Sequence, residues 1–321
     1  MTSLSASYTK VRTEGRDGWL EQRRRGVGGS DVAAIMGLSR YKGPYALWAE
    51  KSGLVEPDDL SGNQAVEWGN ILEPVVAQHY KEAHPDRLVR DERSTLVAKT
   101  RPWAQANIDR WVRDPEMGWG VLEIKTVGFR RASDWDEGVP LYYLTQVTHY
   151  MSVTGSPFAD VAVLVGGQEY REYRVARDED DVRAVDAAVD EFWERVRRGE
   201  PPDDDAMAGS TGALMGQFSH PSGEELVAGA EEERAVAAWL AAKAQAEEAK
   251  GRADALAAKV KRLIGDASGI SCSRGRVKWA RGEAKRLDTK RFKADMPQTY
   301  AAYEVAGERD MGLRFTPRKD Q

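Results

Sequence analysis

The chain has 321 residues, 41% of them hydrophobic and 31% charged, with a formal net charge of −5. That is about two average domains' worth of sequence, enough to bury a core, and the acidic sum by itself leans away from a nucleic-acid partner. No run of 18 apolar residues occurs, residues 1–25 are polar and basic, and Cys272 is the sole cysteine. This excludes a transmembrane helix, a secretory signal, a disulfide framework, a cysteine-rich zinc site and a cysteine-ligated iron–sulfur cluster, and predicts a cytoplasmic protein.

In chain order, a helix is expected over 18–24, then a glycine-rich turn, Gly26-Val27-Gly28-Gly29, and a short helix ending at Gly37 with Ser30 or Asp31 as its cap. Helices follow over 45–51 and 64–82. In the second, Val66, Gly69, Leu72, Glu73, Val76 and Tyr80 recur at helical spacing, and Pro74 should mark a turn or kink. The period then changes. Residues 88–99, 103–112 and 119–127 read as strands, and the turn at 114–118 should set the last two side by side. A helix over 141–153 precedes an apolar strand, 160–165. Gly166-Gly167 turns it into a hairpin with 170–176. Residues 178–198 form a helix with acids first and Arg195, Arg197 and Arg198 last, as its dipole favours. The pattern is a mixed α/β domain over 1–199.

Residues 200–223, with Pro201-Pro202 and three aspartates, read as a linker. The remainder, 224–321, opens with an Ala/Glu/Lys-rich helix to residue 265, either continuous or broken near Gly251. A strand at 276–280, a helix at 289–295 and a strand at 313–316 follow, giving a helical and small α+β extension. There is no internal repeat.

Asp109, Glu123 and Lys125 carry the sharpest chemical signal. An acid two residues before a lysine is a weak pattern, expected about two or three times by chance in such a chain. Three others occur, at Glu248/Lys250, Glu283/Lys285 and Asp288/Lys290, all in polar stretches. Glu123 and Lys125 instead interrupt an apolar strand of Trp119, Val121, Leu122, Ile124 and Val127. Residues i and i+2 share one face of a strand, so both side chains project into one site. Charges there must be paired or metal-bound. Two carboxylates and the Ile124 carbonyl form a hard-oxygen set suited to Mg²⁺ or Mn²⁺, with the lysine as a fixed positive charge. A plain buried salt bridge from Lys125 to either acid accounts for the spacing equally well.

The ordered pieces Trp19-x3-Arg23, Gly26-Val27-Gly28-Gly29-Ser30-Asp31, Glu67-Trp68-Gly69-Asn70-x-x-Glu73-Pro74, Asn107-Ile108-Asp109, Leu122-Glu123-Ile124-Lys125-Thr126 and Gln146-x3-Tyr150 resemble the YqaJ-like viral recombinase family, the phage alkaline exonucleases related to lambda exonuclease. The resemblance covers about 17–198. It implies a restriction-endonuclease-like PD-(D/E)xK core, with Ile108 in place of the usual proline. It implies that Asp109 and Glu123 hold the metal with the Ile124 carbonyl, that Lys125 acts on the nucleophilic water, and that Glu73 is an upstream acid helping to hold the metal. Gln146 would be the glutamine near the lysine, and Arg23 and Ser30 the ligands of a DNA 5′-phosphate. Taken singly, Glu73 also reads as a surface acid, Arg23 as part of a solvated basic run, Gly28 and Gly29 as a simple turn, and Gln146 with Tyr150 as an ordinary helix pair. His79, His84, His149 and His220 lack metal-ligand spacing.

The function implied is a Mg²⁺-dependent 5′-3′ exonuclease on double-stranded DNA ends, leaving 3′ overhangs for a single-strand annealing protein. The protein would be phage- or prophage-encoded, work in the host cytoplasm without a membrane, and form a homo-oligomer if it follows the ring-shaped trimer of the best-known relative. An endonuclease or structure-specific nuclease of the same fold, and a non-catalytic DNA-end-binding or scaffold protein, are the alternatives. The net charge hides an asymmetry: 19 acids against 8 bases over 177–250, but 13 bases against 7 acids over 271–321. The basic tail reads either as a packing or oligomerisation module or as a DNA-steering surface.

Overall fold

A computed structural model describes residues 7–203, 209–218, 223–282 and 286–304 of the chain. They fall into two compact units that divide between His220 and Pro221.

The first unit is built on a five-stranded sheet. Its strands are β2 (Leu88–Asp91), β5 (Arg110–Asp114), β6 (Gly118–Val127), β7 (Phe158–Val165) and β8 (Glu169–Ala176), in the order β2-β5-β6-β7-β8. A second, three-stranded sheet orders β1 (Tyr8–Val11), β3 (Thr95–Ala98) and β4 (Gln105–Ala106) as β1-β3-β4. The helices are α1 (Gly15–Arg24), α2 (Gly29–Ile35), α3 (Pro44–Lys51), α4 (Gln64–Ala83), α5 (Leu141–Thr154), α6 (Glu179–Arg198) and α7 (Ser210–Gln217), with a 3₁₀ turn over Phe129–Trp135.

The expected β5–β6 hairpin forms. Asp114 pairs with Gly118, and the Asp114 carboxylate accepts the amides of Glu116 and Met117, which tightens the turn. β6 and β7 run parallel, so the chain crosses over through the 3₁₀ turn and α5. Gly166 and Gly167, at φ 61° and 74°, make the tight turn into β8. Leu122 and Ile124 of β6 pack with Val76, Ala77 and Tyr80 of α4, whereas Val121 packs with Val147, Tyr150 and Met151 of α5. The sheet is thus covered on both faces, and neighbouring β6 residues serve different layers.

Several expectations change. The run 88–99 splits at Glu92–Ser94 into β2 and β3, which belong to different sheets; 103–112 divides likewise into β4 and β5. Pro74 neither ends nor divides the 20-residue α4. The buried residues beyond it, Val76, Ala77 and Tyr80, anchor the helix to the sheet and offset the lost hydrogen bond. Asp31 is not the N-cap of α2: Gly28 is, and Asp31 stands at the third helical position, accepting the Gly28 amide at 3.0 Å. The expected linker contains α7, whose Ala213 is buried with Ala46 and Leu47 of α3, and whose Gln217 accepts the Tyr45 hydroxyl at 2.7 Å.

The second unit consists of α8 (Ala230–Ile264), the hairpin β9 (Gly269–Cys272) and β10 (Gly275–Lys278), α9 (Thr289–Asp295) and α10 (Pro297–Ala302). α8 runs 35 residues, about 52 Å, without a break at Gly251. The strand expected at 313–316 lies outside the described residues, as do Glu283, Lys285 and His220.

Candidate active site

Asp109 directly precedes β5, and Glu123 and Lys125 lie on neighbouring β6, so the hairpin register brings the three together. Asp109 Oδ2 accepts the Ile124 amide at 2.7 Å, fixing one carboxylate to the backbone between the other two residues. Glu123 is 2% exposed. Its Oε1 accepts from Lys125 Nζ and, at 2.7 Å, from Gln146 Nε2 of α5. Its Oε2 is buried with no hydrogen-bond partner. Gln146 Nε2 also donates to the Tyr150 hydroxyl one helical turn on, at 2.9 Å. The Lys125 ammonium lies 4.8 Å from the centre of the Tyr143 ring.

The electrostatics follow from this crowding. Burial raises the Asp109 carboxyl well above the usual carboxylate range, and the Glu123 charge pushes it further. Burial also raises Glu123, with Glu73 adding to the effect and Lys125 opposing it. For Lys125, burial alone would lower the ammonium, but Glu123 and Asp109 outweigh it and hold it firmly protonated. The salt bridge that the spacing allowed is therefore present, and it leaves a second carboxylate and an orphaned carboxylate oxygen beside it. Such a cluster has unmet affinity for positive charge.

Glu73 takes another position. Its Oε1 accepts from Arg110 Nη1 at 2.7 Å, and Arg110 also pairs with Asp91. Among the described residues, no three His, Cys, Asp or Glu side chains gather closely enough to hold one ion. The carboxylates best placed to receive a metal are Asp109 and Glu123, with Glu73 contributing field rather than contact in this arrangement. The oxygen donors are hard, the set suits Mg²⁺ or Mn²⁺, and the partnerless Glu123 Oε2 is a lone pair such an ion would satisfy.

A second corner is built by the glycine-rich turn. Arg23 of α1 donates to Ser30 Oγ at 3.1 Å and to Asp31 Oδ1 at 2.7 Å. The two residues expected to bind a phosphate thus lie together, with Ser30 exposed. The sequence did not point to Lys51. Its side chain is 3% exposed, and its Nζ lies 2.8 Å from Asp31 Oδ2 and donates to the Arg23 carbonyl at 2.8 Å. Although burial alone would raise it, Asp31 is held well below the usual carboxylate range by Arg23 and Lys51. Arg23 and Lys51 flank this carboxylate, with Glu50 also close enough to act on both, at the start of α2.

The glycines join the two corners. A Cβ on Gly29 would come within 2.4 Å of the Tyr150 ring, so only glycine lets α2 lie against α5 here. Gly26 is equally tight, 2.3 Å from the Trp103 carbonyl oxygen. A pocket of about 170 Å³ is lined by Ser30, Tyr41, Arg131, Tyr142, Tyr143 and Gln146, and so borders both corners without including the carboxylates or Arg23. The Arg131 guanidinium lies over the Tyr142 ring and donates to the Tyr41 hydroxyl at 3.0 Å.

Fold and site together define a mixed α/β protein with a buried acid–acid–lysine cluster and, near it, a glycine-walled corner that holds Arg23, Ser30, Asp31 and Lys51. A model of the YqaJ-like viral recombinase domain matches residues 18–157. The protein YqaJ of Bacillus subtilis (strain 168) is 31% identical over 307 residues, 94% of each chain. The chain belongs to the YqaJ-like viral recombinase family. Among solved structures, an alkaline exonuclease from Laribacter hongkongensis matches at 21% identity and a TM-score of 0.47, over 57% of this chain and 94% of that one. A phage related exonuclease from Haemophilus somnus 129PT matches at 12% identity and a TM-score of 0.38, over 61% and 98%.

Proposed function

We propose that this protein is a metal-dependent exonuclease that removes nucleotides from the 5′-ended strand at double-stranded DNA ends. The observation that carries the reading is the buried Glu123 Oε2, left without a partner between Asp109 and Lys125. Asp109, Glu123 and the Ile124 carbonyl would hold Mg²⁺ or Mn²⁺, with Glu73 reaching the site only by leaving Arg110. When bound, the ion lowers the pKa of a water and neutralises charge on the phosphodiester.

The chain's own residues do the rest. Lys125, kept protonated by its two acids, holds the attacking water oxygen and offsets charge building on the phosphoryl oxygens. Gln146 fixes the Glu123 carboxylate through Oε1, so that Oε2 keeps its aim. Arg23 and Ser30, with the first amides of α2, grip the terminal 5′-phosphate and so select strand and end. As the water oxygen bonds to phosphorus its proton passes to bulk solvent, the bond to the 3′-oxygen breaks, and that oxygen takes a proton from solvent and leaves as a hydroxyl. The 3′ overhang left behind suits a single-strand annealing protein.

The test is digestion of linear duplex labelled at the 5′ or the 3′ end, with Mg²⁺ and a closed circular control. Release of label from the 5′ end by the wild type, and its loss in Glu123→Ala and Lys125→Ala, supports the reading. Cutting of the circle would replace it with an endonuclease. Full activity in both variants would sink the site assignment. Preference for 5′-phosphorylated ends, abolished in Arg23→Ala, tests the anion corner separately.

A further inference from the structure

The nuclease reading leaves the second unit without a task. Residues 255–282 contain seven cations, Lys259, Lys261, Arg262, Arg274, Arg276, Lys278 and Arg281, against the single acid Asp266. The structure concentrates them at one end of α8 and on the β9–β10 hairpin that follows.

Two of the seven build the platform. Arg281 donates to the carbonyls of Gly265 and Ala267, at 2.7 and 2.5 Å, and so caps the end of α8. Its guanidinium also lies 4.5 Å from the centre of the Trp279 ring, and Lys261 lies 6.0 Å from it. The Trp279 amide donates to the Ser268 carbonyl at 3.0 Å, extending the hairpin by one more bond. Ile264, in the last turn of α8, is buried.

The other five are presented outward. Lys259, Arg262, Arg274, Arg276 and Lys278 are exposed, and none makes a side-chain ion pair or hydrogen bond among the described residues. Arg274 and Arg276 flank Gly275, and Arg276 and Lys278 share one face of β10. Cations two residues apart on a strand lie about 6.8 Å apart, roughly twice the 3.4 Å axial spacing of charges along a nucleic-acid strand. The ribbon's apolar side chains, Ile270 and Val277, sit opposite each other in the register and form no broad apolar face. Unpaired cations on a two-stranded ribbon match a polyanion, not a protein groove.

We propose that the β9–β10 ribbon, with the last turn of α8, is a second and sequence-independent DNA contact that holds the substrate through its phosphates. Its functional sense rests on the nuclease reading, but the contact itself does not. Covalently joined to the first unit, it raises the local concentration of DNA for the site and slows its escape between cleavages.

The test uses the full chain in EDTA, which prevents metal-dependent cutting, with a fluorescent duplex and the matching single strand as probes. Arg274→Ala/Arg276→Ala/Lys278→Ala should bind DNA about tenfold or more weakly near 0.1 M salt, and its log affinity against log salt should flatten by about 2.7 for duplex or about 2.1 for single strand. The size of the change tells which form the ribbon holds. The double variant Arg274→Lys/Arg276→Lys, keeping Lys278, should retain the wild-type slope, which separates charge from misfolding. Unchanged affinity and slope on both probes would overturn the proposal. Wild-type protein that binds with this salt dependence yet digests nothing in Mg²⁺ would reject the nuclease reading and leave the contact standing.

Discussion

The two units use charge in opposite ways. In the first, alongside exposed pairs such as Arg16 with Asp59, several cations are turned inward: Lys51 on Asp31, Arg87 and Arg174 on Asp160, Arg101 on Asp186, Arg110 on Glu73. In the second, the described ion pairs are exposed contacts such as Glu248 with Arg252, and the cations at the end of α8 have none. Net charge is therefore a poor guide to partner. A basic residue bonded inside a fold contributes little to an outside polyanion, whereas a smaller unpaired set contributes nearly all of its charge.

The contrast can be broken at its strongest point by Asp31→Ala. It leaves Lys51 buried beside Arg23 without their shared counter-ion, and should cost about 3–5 kcal/mol of stability in denaturant unfolding of the first unit. A loss under 1 kcal/mol would mean that this corner is more open to water than its burial indicates. Gly29→Ala comes next. The new methyl must displace the Tyr150 ring, so a loss of about 1–3 kcal/mol is expected, with a fall in nuclease rate larger than the stability loss explains.

Acid should separate the units further. Burial would raise the Glu92 carboxyl, but hydrogen bonds from Lys10, Trp111 Nε1 and the Ser94 amide hold it at about 2. A depressed folded-state pKa adds stability that is complete above the unfolded value, near 4.3, and is lost as pH falls toward about 2. Thermal unfolding followed from pH 6 to pH 2.5 should show this slope, and Glu92→Gln should flatten it. The smallest effect belongs to the second unit: Glu248→Ala removes an exposed pair and should change stability by less than about 0.5 kcal/mol.

Much of the site was legible because strands alternate. Glu123 and Lys125 stand out as charges on an apolar strand, and the 114–118 turn fixes their neighbour, so the register of Asp109 followed. The run 88–99 reads as one strand because Glu92 looks like a surface acid until its partners, Lys10 and Trp111, arrive from elsewhere in the chain. The Asp31–Lys51 pair was invisible for the same reason. Twenty residues of helix and turn separate the two, and no local period relates them. α7 escaped notice because its small residues, Ser210, Gly212 and Ala213, look like linker and acquire meaning only against α3. Glu73 fitted its motif, yet the Arg110 side chain that now holds it comes from a different element.

The contact between Gly29 and the Tyr150 ring has one more consequence. From Ser30 the path runs through its neighbour Gly29 to Tyr150, on to Gln146 and then to Glu123. The corner that holds Ser30 and the carboxylate of Glu123 are thus linked through α2 and α5. Redesign of one without the other would jam the mechanism, and a graft of this site into another scaffold would have to carry α2 and α5 together.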